Sequence, residues 1–104
     1  MNYKNLDKVI KLQIQQILQT RKDAQKEYAR SIDNVFANFQ RVGKYVGILQ
    51  EQVLMVYLLK HIDGIMAYVN GHKSQRESVE GRITDAIVYL LLLRGMVEDN
   101  ATSK

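Results

Sequence analysis

Apolar residues recur along this chain with the period of a helix. Leu6, Ile10, Ile14 and Ile17 fall at intervals of four, four and three, which puts them on one side of a helix. Ala24 and Tyr28 continue the stripe and Arg21 interrupts it. The spacing predicts a first helix from about Asn5 to about Tyr28. Turn and capping residues gather next, at Ser31, Asp33 and Asn34, so the chain is expected to break there. A short helical segment over Val35 to Val42 follows, ending near Gly43 and Gly47.

The second half is more densely apolar. Glu51 opens a third helix, and Val53 to Leu59 is seven apolar residues in succession. Ile62, Ile65, Met66 and Val69 extend it towards Gly71, where a helix C terminus favours glycine. His72 to Glu77 is polar and reads as a loop. The last helix begins at Glu77 or Ser78 and carries Val79, Ile83, Ile87 and Leu90, with eight consecutive apolar residues over Ala86 to Leu93. Such a run also suits a buried strand, but leucine and alanine are strong helix formers and no turn signal cuts it. A helix apolar all round belongs at the centre of a bundle. The run is far shorter than the roughly 20 residues a bilayer core demands, and Asp85 and Arg94 bracket it. The expectation is an all-α helical bundle of three long helices plus one short helix. It forms a single domain over 1–98, with a disordered tail over 99–104.

Composition narrows the classes. A length of 104 residues fits one small domain. No cysteine is present, which removes disulfides, thiolate metal sites and a cysteine nucleophile. No proline and only six glycines favour uninterrupted helices. Met1 to Lys11 is polar and mixed in charge, unlike a secretory leader, so a cytoplasmic location is expected. The net charge of +4 is uneven: residues 1–50 carry nine basic against four acidic side chains, and 51–104 carry six against seven. No block of like charge stands out, and the aromatics are scattered, so nucleic acid is disfavoured as a partner and no membrane is expected. One copy of so short a chain has little interior for three apolar faces. A homodimer or higher even oligomer is therefore expected.

Chemistry can sit where polar residues enter the apolar helices. Lys60 and Asp63 lie three apart and share a face, as do Arg82, Asp85 and Tyr89. Glu77 lies eight before Asp85, about two turns away on nearly the same side. A carboxylate placed before eight apolar residues is costly to desolvate unless something pairs with it. One reading is cross-helix pairing, Lys60 with Asp85 and Arg82 with Asp63. The other is a polar pocket in which carboxylates hold Mg²⁺ and bases hold phosphate oxygens. The acids on the two inner helices are Glu51, Asp63, Glu77, Glu80 and Asp85. His61 and His72 are eleven apart without zinc-like spacing, and each reads as structural or solvated. GxGxxG, GxxxxGK[ST], GxSxG and HExxH motifs are absent.

Three stretches carry a family likeness: Asp33-Asn34-Val35-Phe36-Ala37-Asn38-Phe39, then Glu51-Gln52-Val53 leading to Leu58-Leu59-Lys60, then Glu77-Ser78-Val79-Glu80 with Asp85-Ala86-Ile87-Val88-Tyr89. In order and spacing they resemble small phage proteins of the MazG-like all-α class, over about residues 28–97. The resemblance implies an oligomeric helical bundle that hydrolyses nucleoside triphosphates to monophosphate and pyrophosphate with Mg²⁺ or Mn²⁺, in a bacterial host's cytoplasm if the protein is phage-encoded. It implies catalytic roles for Asp85, Glu77 and Glu80 and metal ligation by Asp85, Asp63 and Glu51; the residues expected to contact the nucleotide are Lys60, Arg82 and Asn38. The chain departs from the class where paired acids would stand. Lys60-x-x-Asp63 and Arg82-x-x-Asp85 each hold a base in place of one acid. A non-catalytic helical protein that binds nucleotide or a protein partner is the alternative.

Overall fold

Short-range side-chain and backbone contacts start several of the helices and end one of them. The computed structural model describes residues 1–29, 33–73 and 76–102, without the side chains of 28 and 29. Asn2 caps the first helix, α1 (Tyr3–Ala24), its side chain accepting from the Asn5 N–H at 2.8 Å. A single π-helical turn, Gln25–Ala29, continues it. Of the expected turn, Ser31 lies outside the described residues. Asn34 accepts from the Phe36 N–H at 3.1 Å and so leads into α2 (Ala37–Val46).

Gly47 ends α2 in the left-handed region, at φ 75°, with its N–H on the Gly43 carbonyl. A side chain is strained at that φ, so glycine is what permits so short a link to the next helix. The Gln52 side chain then accepts from the Leu49 N–H at 2.8 Å and starts α3 (Gln50–Val69). Positions 74 and 75, after Gly71, are outside the described residues. Ser78 accepts from the Gly81 N–H at 3.0 Å at the start of α4 (Val79–Thr102). α4 continues through Thr102, where the sequence led us to expect a disordered tail from 99; 103 and 104 are outside the described residues.

The described residues form helices and connections only, so the all-α expectation holds. Contacts near both ends set α3 and α4 antiparallel: Asn100 donates to Glu51, and Arg82 lies over Gly64. α2 packs on α3 near its N-terminal end. Phe36, Phe39, Val53, Leu54 and Met96 form the core there, with Leu54 and Met96 wholly buried. The Phe39, Tyr57 and Tyr89 rings meet at 5.9–6.2 Å, the tilted geometry aromatic quadrupoles favour.

The apolar runs are only half-used within one chain. Val53, Leu54 and Leu58 are buried, while Met55, Val56 and Leu59 face outward. On α4 Ala86 and Val88 are buried, while Leu90 and Leu91 are exposed. The α1 stripe is not buried in the chain: Leu6, Ile10 and Ile14 are exposed, and the helix contributes no buried residue. α1 contacts α4, where the Gln13 amide donates to Thr84 at 2.7 Å. The radius of gyration, 15.5 Å, exceeds the roughly 13 Å of a compact chain of this length. Among the described residues no helix is long and apolar enough to cross a membrane.

Candidate functional site

On α3 the stripe facing α4 passes from Leu54 to Leu58 to His61, intervals of four and three that end on an imidazole. His61 is only 7% exposed. Its ring lies 5.6 Å from that of Tyr89, at a shallow tilt of 31°. Across the helix pair stands Asp85, one turn before Tyr89 on α4. The His61 Nδ1 is 3.7 Å from the Asp85 Oδ2, beyond hydrogen-bond reach. Nδ1 is buried and has no hydrogen-bond partner among the described residues. Glu77, just before α4, completes the group. One ligating atom each from His61, Glu77 and Asp85 lies within 4.8 Å of the others.

The electrostatics reflect partial burial. Loss of solvent raises the Asp85 pKa above the ordinary carboxylate value, and Glu77 adds to the rise, while His61, Lys60 and Arg82 oppose it. A second positive charge is fixed by a glycine. The Arg82 side chain crosses α3 at Gly64, where a Cβ would collide with its guanidinium and Cδ. Arg82 reaches the Glu77 carboxylate at 4.0 Å, and its Nε is buried without a hydrogen-bond partner among the described residues. Arg82, Gly64, Lys60 and Asp63 line an open groove of about 630 Å³ whose apolar wall is Val56, Leu59 and Ala67. Two bases over an apolar wall suit an anion with an apolar body.

Of the residues singled out from sequence, this end of the α3–α4 pair brings together Asp85, Glu77, Lys60, Arg82 and Asp63. The expected pairs of Lys60 with Asp85 and Arg82 with Asp63 are replaced by His61 with Asp85 and Arg82 with Glu77. Glu51 is far from the rest. It sits about 18 Å before Asp63 along the α3 axis, bonded to Gln50 and Asn100. That length of helix keeps it from sharing one ion with Asp85 within one chain. Glu80 is exposed and turned about 140° around α4 from Asp85, and Asn38 is on α2, where it accepts from Arg41. An all-carboxylate Mg²⁺ set of Asp85, Asp63 and Glu51 therefore does not fit this structure. The triad that does converge includes His61, whose sequence spacing reads as structural or solvated. Its signal was its place in the Leu54–Leu58–His61 stripe, legible only once α4 is known to cover that face.

The chain matches no family model, no curated protein and no solved structure.

Proposed function

We propose that this end of the α3–α4 pair binds the phosphates of a nucleoside triphosphate with a divalent cation, and cleaves it to monophosphate and pyrophosphate. The observation that carries the reading is the convergence of His61, Glu77 and Asp85 beside two bases, Lys60 and Arg82. The choice of nucleotide over other phosphates rests on the family resemblance. His61, Glu77 and Asp85 are the residues that would hold the cation, which when bound neutralises phosphate charge and polarises water. Arg82, braced over Gly64, and Lys60 grip the phosphate oxygens, guanidinium in a fork and ammonium as a point charge. Val56 and Leu59 give the groove an apolar wall. In the reaction a water oxygen bonds to the α-phosphorus, the bond from that phosphorus to the α–β bridging oxygen breaks with its electron pair leaving on pyrophosphate, and the water's proton passes to solvent. Incubating the protein with each nucleoside triphosphate and Mg²⁺, Mn²⁺, Zn²⁺ or Co²⁺ in turn, then separating products, tests this. Monophosphate with pyrophosphate is expected, and no monophosphate from any nucleotide overturns it.

A non-catalytic nucleotide-binding role has its own support, since Lys60 and Arg82 stand where the resembled class places acids. Calorimetry without metal distinguishes it: tight, metal-independent binding with no turnover is its signature. The proposal includes a homodimer or higher even oligomer, supported by the exposed Leu6, Ile10 and Ile14 of α1 and Leu90 and Leu91 of α4. Light scattering at micromolar concentration checks it, and a monomer mass overturns it.

A further inference from the structure

His61, Glu77 and Asp85 differ from a magnesium site in their chemistry. Magnesium demands an octahedral shell of oxygens and dehydrates reluctantly. Imidazole nitrogen suits zinc, cobalt and their neighbours, which accept mixed nitrogen and oxygen ligands. From this donor set we infer that the three residues form a binding site for a borderline divalent transition metal, one ion per chain, of the zinc and cobalt type. The inference deepens the reading above and rests on the same cluster, but it requires no nucleotide.

Two independent features point to an ion. The first is the convergence of three ligand atoms within 4.8 Å, contributed by α3, α4 and the segment preceding α4. Ligands about 2.0–2.1 Å from a tetrahedral zinc stand roughly 3.3 Å apart. Closing the triad thus takes about 1.5 Å of movement, within reach of Glu77, which is exposed and precedes the helix. The second is the orphaned Nδ1 of His61, more than nine-tenths buried and aimed at Asp85. A buried nitrogen left without a partner is costly. The 3.7 Å approach of Asp85 does not satisfy it, whereas a metal between the two would.

The surroundings suit a site with open positions. Tyr89 lies against the imidazole and limits its rotation. Asp85 and Glu77 are partly exposed, which gives the ion an access route. Arg82 reaches Glu77 only at 4.0 Å, so the carboxylate can turn towards an ion without breaking a hydrogen bond. Three protein ligands leave at least one position to water or a phosphate oxygen, the pattern of catalytic rather than structural zinc sites.

The test uses the full chain stripped with chelator. Calorimetry with Zn²⁺, Co²⁺, Mn²⁺, Mg²⁺ and Ca²⁺ is paired with the visible spectrum of the Co²⁺ form and with thermal melting. Saturable Zn²⁺ and Co²⁺ binding at one per chain is expected, with a melting rise of about 10 °C at a 100-fold excess over Kd. Mg²⁺ and Ca²⁺ are expected to bind far more weakly. His61→Gln should weaken Zn²⁺ by about 100-fold, at the upper end of what even ligand-supporting residues produce, and alter the Co²⁺ bands. If His61→Gln fails to fold, Glu77→Gln, at an exposed position, must weaken binding instead. His72→Gln, the exposed histidine, should leave it unchanged. No saturable Zn²⁺ or Co²⁺ binding, loss on His72→Gln instead, or Mg²⁺ affinity equal to that of Zn²⁺ overturns the inference. Nucleotide turnover does not enter any of these readouts, so either reading can fail without the other.

Discussion

The Nδ1 of His61 and the Oδ2 of Asp85 face each other across the α3–α4 seam at 3.7 Å, and nothing among the described residues hydrogen-bonds to that nitrogen. The two residues are 24 apart in sequence, and antiparallel packing sets one against the other. A donor and an acceptor held close without bonding are a poor stabilising pair. Asp85 accordingly shows the mark of an unfavourable environment, a pKa raised first by burial.

That shift predicts the behaviour of Asp85→Asn. A carboxyl whose pKa is higher folded than unfolded contributes stability at low pH, and the contribution is lost as pH rises through the folded pKa. At pH 7 without metal the charge therefore opposes folding. The neutral amide should leave the melting temperature unchanged or raise it by a few degrees, while abolishing metal-dependent activity. Paired melting and turnover measurements check this, and a sharp fall in melting temperature would mark Asp85 as one half of a stabilising ion pair.

Glu51 carries the opposite sign. Its pKa is lowered below 4.5, chiefly by its own backbone N–H and further by Gln50 and Asn100. The stabilisation is complete above the unfolded value and is lost as pH falls through the folded pKa. Glu51→Gln should lower the melting temperature at pH 7 by about 2–4 °C, in line with roughly 0.5 kcal/mol for a charge at a helix start. The loss should shrink as pH falls from 7 to below the unfolded value. Circular dichroism melts across that range measure the difference.

Leu54 and Met96 are wholly buried on facing helices. Replacing either by alanine leaves a cavity and should cost about 2–5 kcal/mol. For a domain of this size that is a fall of at least about 10 °C in melting temperature. Denaturant unfolding with an unchanged slope would confirm lost stability rather than altered compactness.

Gly64 tests how Arg82 is held. Gly64→Val puts atoms where the Arg82 side chain lies and should push the guanidinium off α3. If Arg82 grips phosphate, Gly64→Val and Arg82→Gln should each weaken nucleotide binding by about 10–100-fold, the range of a charge-assisted hydrogen bond. Calorimetry on both variants decides; binding equal to wild type in either removes Arg82 from the site.

The helical period and the turn chemistry between segments are local properties, so the chain's pattern determined the four helices to within a few residues. Asn2, Gly47 and Ser78 act on backbone groups of their immediate neighbours. The acids and bases near the site were equally visible, because Lys60, Asp63, Arg82 and Asp85 repeat at helical spacing. Which of them meet was not, because partnership depends on the register of two antiparallel helices. That register set His61 against Asp85 and Gly64 under Arg82, and it set Glu51 against Asn100 at the other end of the pair. Burial was decided the same way: Leu54 and Leu59 lie in one apolar run, yet packing against α4 and α2 covers the first and leaves the second in water. A sequence specifies the faces of its helices, and only the packing of helix against helix assigns each face a neighbour.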